Sequence, residues 1–91
     1  MATCTIIQHV AHDTNLVPVD TQPVNVYVEL STAPYAYGQV LERGRVVDYA
    51  ADGTAIGVEF VAVDGCASVS ALPQADLIAE ALRRSDIPVC A

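Results

Sequence analysis

The sequence predicts an α+β fold, an antiparallel β-meander of four to five strands with one C-terminal helix packed on one sheet face. Three observations predict it. Apolar and polar residues alternate with period two through most of Val24 to Val63, the mark of strands with one buried face. Short turn sequences interrupt that alternation, and short turns favour antiparallel neighbours. After Pro73 the apolar spacing changes to that of a helix.

Thr3–Val10 reads as a strand, because Thr5, Ile6 and Ile7 favour extended backbone. Residues 11–23 contain Pro18 and Pro23 and read as a loop, with a short extended piece at Leu16–Val19. From Val24 to Leu30, Val24, Val26, Val28 and Leu30 share one face, and Asn25, Tyr27 and Glu29 the other. Ala33-Pro34 ends that strand. A second strand runs from Tyr35 to Leu41, Glu42-Arg43-Gly44 turns the chain, and a third runs from Arg45 to Ala50. Ala51-Asp52-Gly53-Thr54 is the clearest turn, since Asp-Gly supplies the positive φ that tight hairpins require. In Ala55–Val63, Ile56, Val58, Phe60 and Ala62 alternate with Gly57, Glu59, Val61 and Val63. Asp64-Gly65 closes the sheet, and Cys66–Ala71 reads as a small-residue linker.

Pro73 suits the first position of a helix over roughly 73–85. Leu77, Ile78, Ala81 and Leu82 form its apolar stripe, with Asp76, Glu80, Arg83 and Arg84 on the other side. Asp76 complements the positive end of the helix dipole, the arginines complement the negative end, and Glu80 can pair with Arg84. Pro88 prevents the helix from continuing far.

The 91 residues make one domain, 1–91. The chain is 53% hydrophobic and 16% charged, which excludes a disordered chain. A chain this short buries only roughly 60–65% of the surface it exposes when unfolded, so a sequence this apolar points to a homo-oligomer, a dimer. Eleven acidic residues oppose four basic ones, all arginine, for a net charge of −7. Nucleic-acid binding and docking on an anionic membrane both need a basic footprint that is missing, whereas a basic protein partner would be attracted. No apolar run approaches the ~20 residues of a membrane span. Cys4, Cys66 and Cys90 are odd in number and lack a CxxC pair; they read as reduced thiols in a cytoplasmic protein.

The stretch from Val46 to Phe60, with Asp48, the Asp52-Gly53 turn, Gly57 and Glu59, resembles a family of small bacterial and phage proteins, a domain of unknown function of the DUF 2283 type. Val26-Tyr27-Val28-Glu29-Leu30 resembles that family's opening strand, so the likeness covers roughly residues 24–63. Asp20-Thr21-Gln22-Pro23 and Ala50 depart from the family pattern, which has acidic residues there. The resemblance implies a small sheet-plus-helix unit, no established activity, and an antitoxin-like or phage/host accessory role.

Glu29, Asp48 and Glu59 are the best polar constellation, placed by alternation on the outer sheet face. Three carboxylates on neighbouring strands suit a hard cation or acid–base work; the plain alternative is an ordinary solvated face. His9 and His12 form an H-x-x-H, which shares a face on a helix but not on a strand. No signature surrounds a cysteine nucleophile, and no phosphate-binding glycine loop is present. No cofactor is implied. Gly57 inside a strand marks a bulge or the close approach of another backbone or ring. Tyr27, Tyr35, Tyr37 and Tyr49 are interface candidates, because tyrosine joins a large apolar area to a polar tip; cross-strand aromatic pairing is the plain alternative. Tyr27 and Tyr49 are placed on the face away from the helix, joined there by Val61 and Val63. A non-enzymatic protein-interaction module acting as a homo-oligomer is the favoured reading, and a small metal-binding or hydrolytic domain using the sheet carboxylates is the alternative.

Overall fold

The computed structural model describes residues 3–7, 24–63 and 65–90. Five strands, β1 (Thr3–Ile7), β2 (Val24–Glu29), β3 (Tyr37–Leu41), β4 (Arg45–Tyr49) and β5 (Ala55–Val63), form an antiparallel sheet in the order β1-β2-β5-β4-β3. β6 (Ala67–Ser68) and β7 (Val89–Cys90) make a small parallel pair, with helix α1 (Ala75–Arg84) between them in the chain. The expected sheet with one C-terminal helix is therefore present. Its meander is β3-β4-β5, and β2 joins β5 rather than the strand that comes next in the chain. The chain makes that crossing past the end of β5, where Leu30 and Ser31 N–H both donate to the Ile56 carbonyl at 2.8 and 3.1 Å. The histidines His9 and His12 and the extended piece Leu16–Val19 lie outside the described residues, as do residues 8–10 of the first predicted strand.

Alternation sorts the core as the sequence predicts in the middle of the sheet. Val26, Val28, Val47, Val58 and Phe60 are buried on one face against Ile78, Ala81 and Leu82 of α1. Each of the larger side chains contributes roughly 1.5–3 kcal/mol on burial. Two bulges in β5 disturb the pattern. Asp48 faces Gly57 and Tyr49 faces Ala55, so Ile56 is the extra residue and both Ala55 and Ile56 are buried. Farther along, Val61 and Ala62 together face Asn25. Ala62 takes a left-handed φ of 54°, and its N–H donates to Asn25 Oδ1 at 2.8 Å. This second bulge corrects the predicted alternation: Ala62 is exposed, and Val63 turns inward to pack on the core rather than joining Val61 outside.

The Asp-Gly turn is a three-residue connection. Gly53 N–H donates to the Ala50 carbonyl, Ala50 N–H to that of Thr54, and Gly53 alone takes the positive φ, 87°. Asp52 Oδ1 accepts from Thr54 N–H at 3.0 Å, an arrangement that lowers its carboxyl pKa.

The helix begins later than predicted, and its buried face is Ile78, Ala79, Ala81 and Leu82. Leu77 does not belong to it and is 41% exposed. At about 100° per residue, a stripe centred between Ile78 and Leu82 leaves Leu77 well to one side. Glu80 and Arg84 form the expected surface ion pair. At the C-terminus, Asp86 adopts φ 60°, Asp86 N–H donates to the Arg83 carbonyl and Ile87 N–H to the Leu82 carbonyl. This is a Schellman motif with aspartate in the place of glycine, and buried Ile87 sits beside Leu82 as the motif requires.

That reversal sends Pro88–Cys90 back alongside residues 66–69, and it corrects two expectations. The expected linker holds β6, whose Ala67 and Ser68 are buried. Cys66 and Cys90, 24 positions apart, come to a Cα–Cα distance of 5.7 Å and form a disulfide, so they are not reduced thiols. Cys4, half-buried in β1, is the free cysteine. The same unit is tied to the sheet by Arg45, 5% exposed at the start of β4. Its guanidinium donates to the carbonyls of Glu42 (2.9 Å), Ser68 (3.3 Å) and Ser70. A planar fork with several donors suits carbonyls arriving from different directions.

Among the described residues no helix is long and apolar enough to cross a membrane. Thiol titration of the denatured, non-reduced protein should find one free thiol; three would contradict the Cys66–Cys90 pairing. Cys66→Ser with Cys90→Ser should lower unfolding free energy in denaturant titration by about 3.5 kcal/mol, the loop-closure term for a loop of this length.

Candidate functional site

The outer sheet face is built from the residues that alternate against the core. Pairing places Glu29, Gly57, Asp48 and Gly38 in one row across β2, β5, β4 and β3. The next row holds Thr5, Tyr27, Glu59, Val46 and Val40. The structure thus puts Glu29, Asp48 and Glu59 on one face, as their alternation predicts. Glu29 is exposed, and Asp48 and Glu59 are half-buried.

The two glycines decide what this face looks like. A Cβ on Gly57 would lie 1.9 Å from the Tyr27 hydroxyl oxygen and 2.3 Å from its Cζ, so the phenol occupies the space that only glycine leaves open. This is the ring approach that a glycine within the strand predicts. On the other side of Asp48, a Gly38 Cβ would lie 3.3 Å from both the Tyr35 hydroxyl and Asp48 Oδ1. Two tyrosine hydroxyls therefore roof the glycines that flank one carboxylate. Tyr27 donates to Asp48 Oδ2 at 3.3 Å.

This setting pushes the Tyr27 phenol up to about 12. Partial burial is the main cause, followed by the Asp48 charge and its hydrogen bond, then the charges of Glu29 and Glu59. A phenol held so firmly protonated is a hydrogen-bond donor and not a base. Glu29 and Asp48 stand two strands apart, about 9–10 Å at ordinary strand spacing, with the phenol over the glycine between them. Among the described residues no three histidine, cysteine, aspartate or glutamate side chains gather into a metal-binding group.

The four candidate tyrosines divide into two pairs. Tyr27 and Tyr35 belong to the outer face. Tyr49 does not, because it follows Arg45 and Val47 on the helix side and packs on the core. Tyr37 faces Tyr49 in the register, and their rings stack with centroids 5.2 Å apart and planes at 20°. The Tyr49 hydroxyl reaches Gln39 Oε1 at 3.5 Å. Sequence reasoning missed Gly38 as the second roofed glycine. The signal was present: Gly38 and Gly57 lie on strands either side of Asp48, visible only once the register is known.

Comparison with known protein families, curated proteins and solved structures finds no match for this chain.

Tyr27 is protonated more strongly in the folded chain than in the unfolded one. Its contribution to stability is therefore complete below the ordinary phenol pKa of about 10 and is lost as pH rises towards about 12. Ultraviolet titration should show one tyrosine ionising well above the others. Gly57→Ala should displace the ring, release its bond to Asp48 and bring that titration back towards the ordinary value. A wild-type protein whose tyrosines all titrate together would contradict the arrangement.

Proposed function

We propose that this chain is a non-enzymatic protein-interaction module that works as a homo-oligomer, most simply a dimer. The observation that carries the reading is where its exposed apolar surface lies. Five large apolar side chains are exposed among the described residues, and Tyr35, Tyr37 and Val40 concentrate on and just before β3, at 61%, 48% and 79% exposure. Singly scattered surface apolar residues need no explanation, but three gathered along one sheet edge, Tyr35 and Val40 on the outer face and Tyr37 on the helix side, suit a contact surface. Tyrosines are well suited to it, with a large area and few rotatable bonds. The acidic row around Asp48 adjoins this strand and favours a basic partner over an acidic one.

The disulfide supports a setting in an oxidising compartment over the cytoplasm. An antitoxin-like or phage/host accessory role, implied by the likeness of residues 24–63 to the small bacterial and phage family, would be a specific form of this reading. Metal-binding or hydrolytic use of Glu29, Asp48 and Glu59 draws no support from their spacing across the sheet.

Light scattering on the purified protein at micromolar concentration should return about twice the 9.6 kDa chain mass. A monomer across the whole accessible concentration range would contradict the homo-oligomer.

A further inference from the structure

We infer that the hollow between the β3–β4 turn and the Cys66–Cys90 disulfide admits a small thiol carrying a carboxylate, which opens that disulfide in the folded chain. The hollow has a volume of about 270 Å³, and Arg43, Cys66 and Cys90 line it together with the end of β5. Both cysteines are half-buried, so the disulfide is not sealed in the core.

Two departures from ordinary strand geometry build this hollow. At the end of β5 the bulge holds Ala62 at its left-handed φ, and Val61, Ala62 and Val63 form one wall. The Glu42-Arg43-Gly44 turn docks beside that wall, where Val61 N–H donates to the Gly44 carbonyl at 2.7 Å. A Cβ on Gly44 would lie 2.7 Å from the Val61 carbonyl oxygen, so only glycine permits the approach. It brings exposed Arg43, itself at φ 63°, to the hollow. Left-handed backbone at residues other than glycine is costly and gathers at functional sites.

The charge here is opposite to that of the chain. Only four residues in the sequence are basic against eleven acidic, yet one arginine lines the hollow and, among the described residues, no carboxylate does. Arg43 forms no ion pair among the described residues. A guanidinium beside a disulfide attracts the carboxylate of an incoming thiol and stabilises the thiolate that is displaced. The step is thiol–disulfide exchange. The incoming thiolate bonds to one sulfur, the Cys66–Cys90 bond breaks, and the other sulfur leaves with the electron pair as thiolate. A second thiolate then attacks the mixed disulfide. The small disulfide departs, both cysteines remain reduced, and they take protons from solvent. β7 is then held to β6 by backbone bonds alone, among them Ala67 N–H to the Pro88 carbonyl and Val69 N–H to the Cys90 carbonyl. Arg45 keeps its hold on Ser68 and Ser70, so the exchange works as a latch on β7.

The test reduces the native protein with mercaptoacetate, an anionic thiol, and with cysteamine, a cationic one, at equal thiolate concentration and low ionic strength. Alkylation of Cys66 and Cys90, followed by peptide mass, gives each rate. Arg43→Gln should lower the ratio of the mercaptoacetate rate to the cysteamine rate by about tenfold, because it removes a full charge at close range. Arg83→Gln changes the net charge equally, but Arg83 does not line the hollow, and its ratio should match the wild type. Thermal melts should show both variants folded. The same ratio in wild type and Arg43→Gln, or an equal fall in both variants, would overturn the inference. Reduction confined to denaturant concentrations that unfold the chain would overturn it as well.

Discussion

The described residues cover this sheet on one side, and the rest of the described structure is organised by that constraint. Val26, Val28, Val47, Val58 and Phe60 need a partner layer, and the chain supplies it from β6, α1 and β7. A ten-residue helix is too short to be stable alone, so its stability comes from the stripe it buries and from the ties at its ends. Those ties are Arg45, reaching from β4 to the carbonyls at Ser68 and Ser70, and the Cys66–Cys90 disulfide, closing the segment into a loop. Small chains that cannot bury enough apolar surface commonly rely on such staples.

The covering layer reaches one end of the sheet less than the other. β3 lies at the far edge, and its side chains are exposed on both faces except for Leu41. The same strand supplies Gly38, so it contributes to the roofed row on the outer face and carries the open edge at once. Tyr27 and Tyr35 fill the space the glycines leave empty and bring their hydroxyls beside Asp48.

Most of the sheet was legible in the sequence because period two is a direct image of one buried face. Val26, Val28, Val47, Val58 and Phe60 sort as their alternation says, and the Glu42-Arg43-Gly44 and Asp52-Gly53 turns fall where their residues place them. The failures have definite physical sources. Each bulge inserts one residue and reverses the facing of the residues beyond it, which moved Val63 inward and Ala62 outward. The disulfide was hidden because 24 positions of separation give no spacing signal; only the left-handed Asp86 turn brings Cys90 back to Cys66. Arg45 looked like an ordinary charged strand residue, since its partners are backbone carbonyls without a sequence signature. At the candidate site the carboxylates and Gly57 were readable, whereas Tyr49 was assigned the wrong face and Gly38 was missed. Both depend on register, and register is a property of pairs of strands.

A sheet with β5 at its centre and β3 at one edge is tested most directly by amide hydrogen exchange measured at two protein concentrations. The central strands β2, β5 and β4 should exchange slowest at both concentrations, while those amides of Tyr37 to Leu41 that point away from β4 should be unprotected on dilution and become protected as the protein is concentrated. Equal, rapid exchange of those outward amides at both concentrations would contradict a contact at β3, and exchange of β5 as fast as that of the outward β3 amides would contradict the sheet order itself.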